Sequence, residues 1–141
     1  MNNNPVSIQD EVILVTGAFG LIGKQISKAF LQNGAKVVLA DINENLLSNI
    51  EEEFAASFST NHFLVLQLDI TSEASAANAV EQTITKFGKL DTLINNAAID
   101  AKFDKSGISK VNQSRFENYP IDLLRRSVEV NLTGTVIMTQ A

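Results

Sequence analysis

Residues 12–23 read VILVTGAFGLIG, and eighteen positions after Gly23 an acid, Asp41, closes a second apolar run, KVVLAD. An apolar strand here runs into a glycine-rich turn that opens a helix. Glycines at Gly17, Gly20 and Gly23 let a backbone come close to a pyrophosphate, and a helix N-terminus offers unpaired N–H groups and a positive dipole end to it. A carboxylate at the tip of the next strand can accept hydrogen bonds from the two hydroxyls of an adenosine ribose. The same acid would repel a 2′-phosphate, so the pattern implies NAD as cofactor, with NADP less favoured. The plainer alternatives are turn and packing glycines and a solvated loop acid.

Outward from this stretch, strand and helix alternate. Apolar strands are expected over residues 11–16, 36–40, 63–68 and 90–95. Helices are expected over 21–33, with Ile22, Ile26, Ala29 and Phe30 at helical spacing and Gly34 at the C-terminal end, and over 43–57, with Leu46, Leu47, Ile50 and Phe54 on one face. The run Glu51–Glu53 reads as a solvated face of that second helix. Thr71 can cap a third helix that stops at Gly88. The strands are apolar throughout, the mark of a parallel sheet covered on both faces. Right-handed crossovers then give strand order 3-2-1-4. The expected fold class is α/β, a Rossmann-like doubly wound parallel sheet, truncated after its fourth strand.

Residues 1–10 read as a polar arm ahead of a nucleotide-binding domain over 11–141. Residues 100–119, polar with scattered aromatics, break the rhythm and read as an inserted loop, longer than connections in α/β domains ordinarily are. A last helix is expected from Pro120, a favourable first helical position, with Ile121, Leu124, Val128, Leu132 and Thr135 along one stripe.

The bulk properties exclude several classes. The chain has 141 residues and 45% hydrophobic content, enough for one domain with a core. Its net charge of −5 disfavours nucleic acid or an anionic membrane as partner. No apolar run approaches the ~18 residues of a membrane span, and residues 1–11 lack the apolar core of a signal peptide. With no cysteine there are no disulfides or thiolate metal sites, which fits a cytoplasmic protein. The lone His62 has no acids clustered near it and reads as a surface residue, so no metal site is expected.

Five motifs in order, TGAFGLIG (16–23), Asp41, LDI (68–70), NNAA (95–98) and VNLTG (130–134), resemble one family. Over residues 11–141 the chain resembles the N-terminal half of a short-chain dehydrogenase/reductase. The resemblance implies that Gly17, Phe19, Gly20, Leu21 and Ile22 surround a pyrophosphate and that Asp41 binds the adenosine ribose. It implies Asp69 and Ile70 at the adenine, and Asn95, Ala97 and Ala98 along the nicotinamide-side ribose. Asn131 matches the family asparagine that opens its helix locally and holds a water in the proton relay. Read from the residues alone, Asp69 could instead be a helix-capping acid near Thr71. An asparagine within a helix competes for backbone bonds and favours a local kink.

There are departures. Leu21 stands where the commoner subgroup has glycine, and the G-x-x-G-x-x-G spacing is closer to enzymes acting on nucleotide sugars. Thirty-six positions separate Asn95 from Asn131, more than the family pattern implies, which places an insertion in 100–119. The FENYP ending of that insertion is similar to oxidoreductases associated with flagellin or surface-sugar modification. The family's serine, and its tyrosine with a lysine four places on, follow the asparagine helix. The sole tyrosine, Tyr119, precedes Asn131 and is followed four places later by Leu123.

The implied activity is hydride transfer between a nicotinamide and a carbonyl or alcohol carbon of a small molecule, a sugar derivative among the candidates. The chain by itself carries the cofactor half and is expected to be inactive. The alternatives are a non-catalytic nucleotide-binding or assembly module and a nucleotide-sugar epimerase or dehydratase. Arg125 and Arg126 could face a substrate phosphate or lie on an exposed helix side. The unpaired edge of the fourth strand and the family pattern both imply a homo-oligomer.

Overall fold

Four short parallel strands form the centre of the molecule: β1 (Val12–Thr16), β2 (Lys36–Asp41), β3 (Phe63–Gln67) and β4 (Thr92–Ile94). A computed structural model describes residues 7–100, 117 and 119–141. The order is β3-β2-β1-β4, as the crossover rule predicts. Leu14 is in register with Val38 on one side and Leu93 on the other. All five residues of β1 are buried, because a parallel strand covered on both faces has no solvent side.

Alternate residues face two separate cores. Ile13, Val15, Val37 and Leu39 pack with Leu31 of α1 (Leu21–Gln32) and with Ile50 and Phe54 of α2 (Leu47–Ala55). Leu14, Val38 and Leu66 pack on the opposite face with Ala76 and Ala79 of α3 (Glu73–Phe87) and with Met138 of α5 (Thr135–Gln140). The last helical unit begins with α4 (Ile121–Val128), passes through a π-helical segment, Glu129–Gly134, and continues as α5. Thus α1 and α2 cover one face of the sheet, and α3 and α5 the other.

Several boundaries differ from expectation. Residues 44–46 form a 3₁₀ turn before α2, so the helix expected from residue 43 starts late. Ser72, not Thr71, caps α3: its hydroxyl accepts from Ser75 N at 3.3 Å. Thr71 is held instead by Asp69, whose Oδ1 accepts from Thr71 N and Oγ1. In α1 the buried stripe is Gly23, Ser27 and Leu31, whereas Ile22 is 69% exposed. The apolar stripe read on the last helix is open at Ile121, Leu124, Val128 and Leu132, which are exposed, whereas Leu123, Gly134 and Met138 are buried. The arm is docked where it is described. Ile8 packs on the first core and Asp10 N donates to Gly34 O at 3.0 Å. Apart from Asp100, Glu117 and Tyr119, the inserted loop lies outside the described residues.

Candidate functional site

The chain turns sharply where β1 meets α1. Gly17 adopts φ +64° and sits against the β4 exit, where a Cβ would stand 2.8 Å from Ala97 Cα. Any side chain would be both strained and obstructed there. Gly20 is different: its backbone is extended, φ −72° and ψ 169°, and a Cβ would meet its nearest neighbour, Gly17 O, at 3.4 Å. What its lack of a side chain does is leave the mouth of α1 open. As the N-cap it makes no side-chain bond, so the helix start keeps N–H donors without an intrahelical acceptor.

Asp41, at the end of β2, reaches this turn. Its Oδ2 accepts from Phe19 N at 3.1 Å and its Oδ1 from Asn43 N at 3.1 Å. The carboxylate therefore stands beside the glycine turn, held by backbone from both sides.

Thr16 and Asn96, which the sequence reading did not single out, lock the turn to β4. The buried Thr16 hydroxyl accepts from Asn96 N and Ala97 N, both at 3.0 Å, and donates to Ile94 O at 3.3 Å. The Asn96 amide donates to Thr16 O at 3.0 Å and Gly17 O at 3.1 Å. The signal for both was their place: Thr16 directly precedes the first glycine, and Asn96 is the second of an asparagine doublet.

Above the carboxyl ends of the strands lies a cleft of about 730 Å³, within the range of small-molecule sites. It sits where β1 has β2 on one side and β4 on the other, the switch point at which doubly wound sheets bind ligands. Of the residues expected at a site, Gly17, Gly20, Leu21, Ile22 and Asp41 line it from the first two strands. Asp69 and Ile70 line it from the β3 exit, and Ala97 and Ala98 from the β4 exit. Three expected residues do not line it. Phe19 turns its ring into the core and offers only its N–H to Asp41. Asn95 donates instead to Thr139 Oγ1 at 3.2 Å. Asn131 is exposed and is joined to the lining residue Ile99 by two hydrogen bonds. The cleft also contains Ile42, Thr71 and Val130, none of them assigned to a site from sequence, and Arg126, one of the two arginines read as facing a substrate phosphate or lying on an exposed helix side. Among the described residues no cluster of three or more histidines, aspartates or glutamates forms a metal site.

The match to known proteins fits this geometry. The family model for short chain dehydrogenases covers residues 11–141. The chain belongs to the short chain dehydrogenase family. This family consists of oxidoreductases built on an NAD(P)-binding Rossmann fold. The chain is 32% identical over 133 residues to the mitochondrial borneol dehydrogenase of Lavandula x intermedia, covering 94% of this chain and 45% of that protein. It is 41% identical over 90 residues to post-translational flagellin modification protein A of Campylobacter coli, covering 64% of this chain and 35% of that one. It superposes with TM-score 0.77 and 33% identity on 3-ketoacyl-(acyl-carrier-protein) reductase of Brucella melitensis, a structure complexed with NADH, over 95% of this chain and 49% of that one. The chain spans about half the length of the relatives it matches, or less. Among the described residues no helix is long and apolar enough to cross a membrane.

Proposed function

We propose that this chain is the cofactor-binding half of an NAD-dependent oxidoreductase acting on a carbonyl or alcohol carbon of a small molecule. One observation carries the reading: the Asp41 carboxylate stands 3.1 Å from Phe19 N, beside the open glycine turn. A carboxylate there accepts from ribose hydroxyls and repels a 2′-phosphate, which favours NAD over NADP. The fit of a dinucleotide is supported by the missing side chain of Gly20, which leaves the mouth of α1 open, and by the size of the cleft. The NADH bound to the Brucella reductase supports the same choice.

In this reading Gly17, Phe19, Gly20, Leu21 and Ile22 form the pyrophosphate cradle, with the start of α1 supplying N–H donors. Asp69 and Ile70 flank the adenine. Asn95, Ala97 and Ala98 belong to the nicotinamide side. Asn131, inside the π-helical segment, holds a water for proton transfer. A bound nicotinamide supplies hydride chemistry, while the protein supplies alignment and charge. The 141-residue chain alone binds cofactor without turnover. The exposed apolar stripe Ile121–Leu124–Val128–Leu132 supports self-association of the parent enzyme.

Titration of the purified chain with NADH tests the reading. Saturable enhancement of NADH fluorescence is expected, with NADPH at least about tenfold weaker. Asp41→Ser should weaken NADH by about tenfold, the scale of a lost charge-assisted hydrogen bond, and narrow the NADPH gap. A chain folded by circular dichroism that leaves NADH fluorescence unchanged, or that prefers NADPH, overturns it.

A further inference from the structure

Arg126 and Val130 line the cleft from the last helical unit. They are one turn apart, which stacks them on one face. Gly134 continues the row and is buried against Ile70, where a Cβ would stand 2.8 Å from Ile70 Cγ1. The row Arg126–Val130–Gly134 therefore climbs the same wall as the Asp69–Thr71 loop. Arg126 occupies its open end, ~6 Å beyond Val130 along the helix axis. The preceding Arg125 is bonded to Asp122 Oδ1 at 2.9 Å and does not line the cleft.

The two walls differ in chemistry. The glycine turn and the mouth of α1 belong to the helices on one face of the sheet. The Arg126 wall belongs to the other face, since Val130 and Met138 pack in the second core. Backbone donors for phosphates are on the first wall. The second offers apolar surface, Leu68 and Ile70, with a flat cation at its rim. A guanidinium is planar and weakly hydrated and stacks on aromatic faces, which an ammonium does less well.

We propose that Arg126 is a specificity residue for the base half of the dinucleotide, its guanidinium lying across one face of the purine beside Ile70. This rests on the NAD reading of the cleft. Arg126 acts through its plane and not as a point charge for the pyrophosphate.

The test compares wild type with Arg126→Lys and Arg126→Gln, reading Kd for NADH by fluorescence and for ADP-ribose by competition. Both variants should weaken NADH and ADP-ribose by the same factor, about threefold to tenfold. Both variants should stay folded by circular dichroism, and the salt dependence of NADH binding should match wild type. A lysine variant as tight as wild type, or a smaller salt slope in the glutamine variant, makes Arg126 a charge for phosphate and overturns the proposal. Loss confined to NADH, with ADP-ribose unchanged, overturns it by moving Arg126 to the nicotinamide side. Wild type that binds NADH with both variants unaffected overturns this inference alone, and wild type that fails to bind NADH removes the cofactor reading with it.

Discussion

Asn131 and Ile99 are tied by a reciprocal pair of hydrogen bonds: Ile99 N donates to Asn131 Oδ1 at 2.9 Å, and Asn131 Nδ2 donates to Ile99 O at 3.0 Å. The amide side chain copies the pairing of a strand neighbour. It pins the chain leaving β4 to the π-helical segment. The segment's wider turn is the physical counterpart of an asparagine whose side chain is committed outside its own helix.

Asn131→Ala should therefore loosen the cleft's β4 wall. Two lost bonds amount to about 1–3 kcal/mol, a fall of several degrees in the thermal midpoint. Asn131→Asp keeps the acceptor for Ile99 N but sets a carboxylate against Ile99 O, so it should be no better than alanine. Thermal denaturation of both variants checks this, and an aspartate variant as stable as wild type contradicts it.

The glycine turn predicts a contrast between two substitutions that look equivalent in sequence. Gly17→Ala puts a Cβ into the left-handed region and 2.8 Å from Ala97 Cα. It should cost about 2 kcal/mol or more and abolish detectable NADH binding. Gly20→Ala has ordinary backbone geometry and a nearest contact of 3.4 Å. It should leave the thermal midpoint within about a degree, the sub-kcal scale of a surface change, while still weakening NADH by narrowing the mouth of α1. Equal thermal losses in the two variants would contradict the assignment.

The foot of the sheet should contribute to acid sensitivity, as should Glu53, which Lys24 and Lys28 hold below its ordinary value. Asp91 Oδ2 accepts from Val12 N at 2.8 Å and from Lys89 Nζ at 2.7 Å. Lys89 first, then the Val12 N–H, holds the carboxyl below its ordinary value of 3.8. A folded-state value lowered in this way gives stability that is present above about pH 4 and lost as pH falls through the folded value. The Asp91 carboxylate in turn holds Lys89 above its ordinary 10.5, so the lysine's share is present below that and lost as pH rises through its folded value. Asp91→Asn should flatten both limbs of midpoint against pH. A series between about pH 2 and pH 5 in which the variant falls as steeply as wild type would assign acid sensitivity elsewhere.

The sheet order, the two glycine-ended helices and the glycine turn with Asp41 were legible because each rests on local chemistry: unbroken apolar strands, left-handed glycines, an acid closing a strand. Helix faces were harder. On α1 the inward row is Gly23, Ser27 and Leu31, since small residues let the helix lie close to the sheet, and the Ser27 hydroxyl is satisfied by Gly23 O at 2.8 Å. A hydrophobic stripe then selects Ile22, which lies in the open. On the last helix the sequence holds two apolar rows, and periodicity cannot say which one meets the sheet. Met138 packs on the sheet and Leu123 is buried, whereas Leu124 and Val128 are exposed. Arg126 could not be separated from Arg125 by composition, because only its place in the cleft distinguishes it. Thr16 and Asn96 went unread because their partners lie about eighty positions apart in the chain.

That last pair yields the sharpest stability prediction. The Thr16 hydroxyl is 1% exposed and is the acceptor for both Asn96 N and Ala97 N. Thr16→Val keeps the shape and removes the oxygen, leaving two partly buried N–H groups without that partner. An unsatisfied buried donor costs about 1–3 kcal/mol, so the loss should far exceed that of an ordinary near-isosteric change. Thr16→Ser keeps the oxygen and loses only a methyl, about 1 kcal/mol. The β4 exit carries Ala97 and Ala98 into the cleft, so the valine variant should also bind NADH more weakly, and the serine variant nearly as wild type does. Denaturant unfolding and NADH titration on the two proteins separate the effects. A valine variant more stable than the serine one would mean that the hydroxyl does not hold the β4 exit against the glycine turn.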